Sequence, residues 1–272
     1  MADRHTRGPD LPNHVNAFCP FHSQGWHGRI APGWQRLFED IDQWLAINRG
    51  EMLVDFPSRE VRRVETPEGV VYVKLLRSGG DARGSRRLLA NLKWLVRPSR
   101  ALAIMRISQS LLAEDFICPV PVLAARRRDR AGWPTDIFIS LECRGINLAE
   151  RLSAAANAGE ASSVLAMTAR EMRRLHEAGF VHGDCTPYNL AFTDQDRLIL
   201  FDNDRTVRSS PPLRRYRQER SLANLGLRLT QMLQNLQPFR EFLAYYAESP
   251  GEARRIMALT RKRLRSKGLE FA

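Results

Sequence analysis

The sequence predicts an α+β chain of two unequal lobes, a small β-rich one followed by a helical one. Three observations carry that expectation. β-branched and aromatic residues form a hairpin pattern between residues 60 and 76, bounded by turn residues as paired strands are. From residue 161 onward apolar residues recur at helical spacing, the period of an amphipathic helix packed on a core. Between the two regions Glu142-Cys143-Arg144-Gly145 fits neither pattern and reads as the connection.

Taken in order, residues 1–32 are polar and rich in Pro, Gly and Asn, and predict an irregular N-terminal arm. His14, Cys19, His22 and His27 lie in it, at spacings that fit no standard zinc site, so a solvated arm is the expectation. Trp34, Leu37, Phe38, Ile41, Trp44 and Leu45 follow at helical spacing and predict one amphipathic helix whose aromatic stripe is core. Glu60-Val61-Arg62-Arg63-Val64 and Gly69-Val70-Val71-Tyr72-Val73-Lys74-Leu75-Leu76 flank the turn Thr66-Pro67-Glu68-Gly69 and predict a hairpin. Basic helices around Leu88 to Leu112 and strands at Val120 to Ala125 and Ile137 to Leu141 complete a unit spanning 33–143. In the second unit, 144–272, helices are expected from Asn147 to Leu152, Ala161 to Ala178, Ser221 to Leu233, Pro238 to Ala247 and Glu252 to Leu264.

The chemistry is concentrated in Val181-His182-Gly183-Asp184-Cys185-Thr186-Pro187-Tyr188-Asn189-Leu190 and in Leu198-Ile199-Leu200-Phe201-Asp202-Asn203-Asp204. Asn189 lies five positions after Asp184, and Asp202 thirteen after Asn189. In kinase-type phosphoryl transfer a loop Asp orients the attacking hydroxyl, an Asn five residues on holds Mg²⁺, and an Asp after the next hairpin holds the metal that bridges the phosphates. Asp184, Asn189 and Asp202 fill those roles in order. The flanks suit them. A helix end at Glu171 to Ala178 is stopped by Gly179, and two short apolar strands surround the turn Thr193-Asp194-Gln195-Asp196. A lone His-Gly-Asp is common in turns; the added Asp202 spacing makes the catalytic reading the better one.

Upstream, Lys74 is the single lysine of its strand and precedes Asp184 by 110 residues. A lysine on the third strand of such a lobe neutralises nucleotide phosphates, although an isolated strand lysine is more often a solvated edge residue.

On these segments the chain resembles the bacterial lipopolysaccharide kinase family, which phosphorylates Kdo or heptose sugars of the lipopolysaccharide inner core. Ser58 to Val64 running into Tyr72-Val73-Lys74, Pro98 to Leu102, Cys118-Pro119-Val120-Pro121, the catalytic loop, Asp202-Asn203-Asp204-Arg205-Thr206 and Phe239 to Leu243 carry the likeness, over roughly residues 50 to 267. The resemblance implies a two-lobed protein-kinase-like fold, ATP with Mg²⁺ as donor and a sugar hydroxyl as acceptor. It makes Glu142 and Cys143 the hinge whose backbone meets the adenine. Three departures stand out. Between Ala82 and Leu112 there is no acidic residue to pair with Lys74, a pairing that active protein kinases need; Asp81, Glu114 and Asp115 are the substitutes within reach in sequence. Thr186 stands where protein kinases acting on Ser or Thr carry Lys, which favours a sugar or other small acceptor. Phe56-Pro57-Ser58-Arg59 occupies the place of a glycine-rich loop.

Composition sets the remaining bounds. A chain of 272 residues, 43% hydrophobic and 26% charged, accommodates one two-lobed catalytic unit. No uncharged run approaches the ~20 residues of a membrane span, and Met1-Ala2-Asp3-Arg4 lacks a signal peptide's apolar core, so a cytoplasmic protein is expected. Scattered Cys19, Cys118, Cys143 and Cys185 read as reduced thiols. The net charge of +12, with clusters at Arg126 to Arg128, Arg214 to Arg217 and Arg261 to Arg265, suits a polyanion; with the kinase motif it favours a glycolipid on the anionic inner face of the cytoplasmic membrane over nucleic acid. The alternatives are a soluble phosphotransferase of aminoglycoside-kinase type, and a weakly active kinase-fold scaffold that binds a polyanion.

Overall fold

Strands begin earlier than the composition of the N-terminal segment suggests. The computed structural model describes residues 18–77, 97–130, 132–269 and 271. Within them Cys19–Ser23 (β1) and Trp26–Ile30 (β2) form an antiparallel hairpin, turned through Gln24 and Gly25, both at positive φ. Such turns match the twist of the flanking strands. Residues 19–30 are therefore not the irregular arm expected of 1–32. β2 docks on a later strand at Gly28, where a Cβ would lie 2.0 Å from the Ala124 carbonyl oxygen, so only glycine permits that approach. His14 lies outside the described residues, as do Asp81 and residues 88–96 of the expected basic helices. No metal-binding cluster of His, Cys, Asp or Glu occurs among the described residues.

The helix expected over residues 34–45 is shorter, Ile41–Ile47 (α1), with turns before it. Its aromatic residues still reach the core: Phe38 stacks on Trp34 and meets Trp44 edge-on. Glu51–Phe56 (β3), Arg59–Thr66 (β4), Gly69–Arg77 (β5), Pro121–Arg128 (β6) and Pro134–Leu141 (β7) join the hairpin in a seven-stranded antiparallel sheet of order β1-β2-β6-β7-β5-β4-β3. Strand periodicity decides what β5 offers to each side. Val71, Val73 and Leu75 enter the core shared with Trp26, Phe38 and Ile41, while Leu76 packs against Ala101, Ile104 and Met105 of the helix Arg100–Ala113 (α2). Lys74 has the parity of Leu76.

The start of α2 is fixed to the sheet by one buried carboxylate. Asp136 accepts hydrogen bonds from Ser99 Oγ (3.0 Å), the Arg100 backbone N–H (2.7 Å) and Arg126 Nε (2.7 Å), and Arg126 also donates to the carbonyls of Arg97 and Pro98. A buried ion pair is tolerated where hydrogen bonds satisfy both partners in this way. Its consequence is positional: Arg100 is presented toward the other lobe.

After the connection 142–145 come Ile146–Asn147 (β8), Leu148–Ala154 (α3), Ala158–Glu177 (α4), Phe180–Val181 (β9), Leu190–Phe192 (β10), Leu198–Leu200 (β11), Val207–Arg208 (β12), Pro211–Leu233 (α5), Gln237–Tyr246 (α6) and Pro250–Arg265 (α7). One apolar core unites them, with Met172, Leu175, Phe180, Leu225 and Phe239 wholly buried. Asn157 and Ser249 cap α4 and α7 by accepting from the N–H groups of Glu160 and Glu252. α5 starts ten residues before the expected Ser221, because its first turns carry arginines and exposed apolar side chains in place of a core stripe. The result is the two-lobed α+β architecture of a protein-kinase-like fold. No helix among the described residues is long and apolar enough to cross a membrane.

Candidate active site

The loop that carries Asp184 is held from three directions. β9 pairs with β12, Val181 opposite Val207, which brings the loop alongside the turn that follows Asp202. His182 is wholly buried and joins Phe201 through Nε2 and the carbonyl oxygen at 2.8 Å; burial pushes its pKa down, so the ring is neutral and Nε2–H is the donor. From α5, Ser221 Oγ donates to the His182 carbonyl (2.7 Å) and Asn224 Nδ2 to that of Cys185 (3.0 Å). Gly183 is required by contact: a Cβ there would lie 2.2 Å from the Arg205 carbonyl oxygen. Burial pushes the Cys185 thiol up to about 12, which leaves it inert beside Asp184.

Asn189 clasps the loop to the residue before Asp202. Its Nδ2 donates to the Asp184 carbonyl (2.9 Å) and its own carbonyl accepts from Phe201 N–H (2.9 Å). The amide nitrogen being committed, the amide oxygen is the end left to act as a donor atom for a metal.

Asp202 sits at φ +50°, a left-handed conformation in which Asp and Asn are tolerated better than most residues. The turn after it is locked by Asn203, which donates to the Leu200 carbonyl and accepts from Thr206 Oγ1. Lys74 Nζ reaches across from β5 to Asp202 Oδ1 at 2.7 Å and to Asp204 Oδ1 at 2.8 Å. Arg59, just past the β3–β4 turn, lies 3.9 Å from the other Asp202 oxygen, and Arg100 at the head of α2 lies 3.2 Å from Asp204 Oδ2. Burial alone would push the Asp202 carboxyl up, but Lys74 and Arg59 outweigh it and hold the group below its ordinary range.

These contacts supply what the sequence lacked. Lys74 has Asp204 for an anionic partner, two residues past Asp202, and among the described residues α2 adds Arg100 to the same carboxylate. Glu114 and Asp115 do not take part: they pair with Arg208 and Arg197. Asp204, two residues past Asp202, was not singled out from the sequence, and Arg59 and Arg100 stood only inside longer quoted segments with no role assigned.

Lys74, Asp202, Asp204, Arg59, Glu142 and Cys143 line a single cavity of about 550 Å³, within the size range of small-molecule sites. Val54, Val61, Ile104, Phe138 and Leu141 give it apolar walls next to the hinge. The Glu142 side chain is occupied by Arg63 Nε (3.0 Å) and Arg144 Nε (2.7 Å), and its backbone N–H by the Val70 carbonyl (2.9 Å). Glu142 is therefore committed through both its side chain and its backbone N–H, and Cys143 and Arg144 line the cavity beside it. Asp184 lines a different cavity, of about 650 Å³, whose lining includes Arg205 and Val207. Arg263, assigned with the basic C-terminal helix from sequence, lines that second cavity and bonds Asn224 (3.3 Å).

A family model for lipopolysaccharide kinases, Kdo/WaaP, matches residues 59–254. The chain belongs to the lipopolysaccharide kinase (Kdo/WaaP) family. No curated protein matches it. The family segment opens at Arg59 on β4 and takes in Lys74, Asp184, Asn189, Asp202 and Asp204. The β1–β2 hairpin and α1 precede it and most of α7 follows it, so Arg263 is an element of this Kdo/WaaP chain outside the matched segment.

Proposed function

We propose that the chain is an ATP-dependent kinase that phosphorylates a sugar hydroxyl of the lipopolysaccharide inner core, on Kdo or heptose. The observation that carries this reading is the meeting of Lys74 and Asp202, 128 positions apart in sequence, in a cavity that opens on the hinge. The residues suit a magnesium nucleotide: two carboxylates and an amide oxygen are hard donors, and Lys74, Arg59 and Arg100 are cations for phosphate. Mg-ATP, when bound, supplies the phosphoryl group and leaves as ADP. Asn189 and Asp202 would hold the metal, Lys74 and Arg59 would balance phosphate charge, and the backbone at Cys143 and Arg144 would meet the base. Asp184 accepts the proton of the acceptor hydroxyl and orients its oxygen. Asp204, by pairing with Lys74, stands in for the helix glutamate, which weighs against an inactive scaffold.

The deciding experiment is turnover of Mg-ATP by the purified protein against inner-core glycolipids ending in Kdo or heptose, and against aminoglycosides and neutral soluble sugars. Phosphate incorporation into the glycolipids is the expected result. Transfer to aminoglycosides alone would replace the reading with a soluble phosphotransferase, and nucleotide binding with no transfer to any acceptor would replace it with a scaffold.

Such an acceptor is presented at a membrane surface, and Arg261, Lys262, Arg265 and Lys267 are exposed along and just past α7. Each contributes about 1 kcal/mol near an anionic leaflet, screened beyond ~8 Å at physiological salt. Reversing these four charges, with Arg263 left in place, is expected to abolish salt-sensitive co-sedimentation with anionic vesicles. Undiminished co-sedimentation would move the contact elsewhere.

A further inference from the structure

The cavity beside Asp184 has an unusual charge balance. Gly183 and Asp184 form one wall and Arg205 another; Arg263 enters from α7. Beside Val181 and Val207, the rest is a face of α5, where Leu213, Tyr216, Arg217, Arg220 and Asn224 recur at the three- and four-residue spacing of one helical stripe. Four guanidinium groups thus face a cavity whose lining holds a single carboxylate, Asp184.

The surroundings do not neutralise them. Arg220 donates to the Tyr216 hydroxyl (3.0 Å) and Arg263 to the Asn224 amide oxygen (3.3 Å), both neutral partners. Neither Arg205 nor Arg217 has an ion pair among the described residues. The nearest acid on the same helix, Glu219, is taken by Arg215 and Arg255. Burial, and after it the charge of Arg220, holds the Arg263 guanidinium below its ordinary pKa. Arg205, Arg217 and Arg220 reach the cavity from its solvent-exposed rim and Arg263 is half-buried, whereas the partly buried Arg126 and Arg173 are paired with Asp136 and Glu252. A cleft lined by one sign of charge focuses a positive field on Asp184's side of the loop, which favours an anionic ligand there.

We propose that this cavity is the acceptor subsite and that Arg205, Arg217, Arg220 and Arg263 bind an anionic group, carboxylate or phosphate monoester, carried by the acceptor sugar near the hydroxyl that Asp184 orients. This rests on the kinase reading above and adds a requirement: the acceptor is anionic. Guanidinium forks match both anions in two-point geometry, and the same field repels polycationic acceptors such as aminoglycosides.

Two matched pairs of small acceptors test it: Kdo against its methyl ester, and a heptose phosphate against the unphosphorylated heptose. Binding is read by ligand-observed NMR and transfer by phosphate incorporation, in the wild-type chain and in Arg217→Gln/Arg220→Gln. The ATP dissociation constant and thermal melt serve as checks on folding. The anionic member of at least one pair should bind tenfold or more tightly than its neutral partner, and the double variant should lose that preference. The pair that shows it identifies the anion as carboxylate or phosphate. Equal binding of charged and neutral partners, a preference that survives in the double variant, or no binding of any of the four, overturns the proposal. Transfer without charge preference sinks it while the kinase reading stands, and charge-dependent binding without transfer does the reverse.

Discussion

Asp202→Asn is expected to abolish Mg²⁺-dependent ATP binding and to lower phosphoryl transfer by at least ~10²-fold, the usual cost of removing one electrostatic element of such a site. Asn is the informative replacement. It tolerates φ +50°, whereas Ala at that position adds backbone strain of about 1 kcal/mol or more, which would confuse loss of folding with loss of charge. The substitution removes the anion held below its ordinary range by Lys74 and Arg59, yet Lys74 keeps Asp204 at 2.8 Å, so the lobes stay bridged. The melt should therefore be close to wild type while nucleotide binding in the presence of Mg²⁺ fails. Wild-type turnover in the purified variant would remove Asp202 from the metal site.

The legible part of this chain is the part whose chemistry is local. Asp184, Asn189 and Asp202 lie within nineteen residues of one another, and the spacing imposed by loop and hairpin is written directly in the sequence. The β4–β5 hairpin was equally plain, because a long alternating pattern and a turn coincide at residues 59–77. What failed was whatever depends on distant packing. The β1–β2 hairpin escaped because five-residue strands interrupted by Pro20 and Gly28 carry too little alternation, and its order comes from docking on β6. The stripe from Trp34 to Leu45 has helical spacing, but consecutive turns bury the same residues, and helix forms only from Ile41.

The same reason explains the misplaced charges. The opening turns of α5 show no core-facing period, since Tyr216, Arg217 and Arg220 project toward a cavity and not into the core; sequence offers only a basic cluster. Arg263 shares a helix with five exposed cations, yet it turns toward Asn224, a direction set by how α7 seats on α5. Lys74 illustrates the converse. Its strand position was readable, but its partner Asp204 belongs to the other lobe and could be named only once the two lobes were brought together.

Asp184→Asn should behave in the opposite way to the Asp202 variant, keeping ATP affinity within about twofold while losing ~10²- to 10⁴-fold in transfer, the range that general acid–base catalysis contributes. The separation follows from place. Asp184 lines the second cavity and is absent from the walls of the first, where Lys74 and Asp202 stand. Its main-chain carbonyl, not its carboxylate, holds Asn189 Nδ2, and Asn224, Ser221 and His182 fix the loop through other carbonyl groups. An isosteric amide leaves every one of these bonds in place and removes only the capacity to accept a proton from the acceptor hydroxyl. Nucleotide titration and phosphate incorporation on one preparation of the variant read the two effects separately. If transfer persisted, the hydroxyl would be oriented by another group; if ATP affinity collapsed together with transfer, Asp184 would belong to the metal site and the division of labour between the two cavities would be wrong.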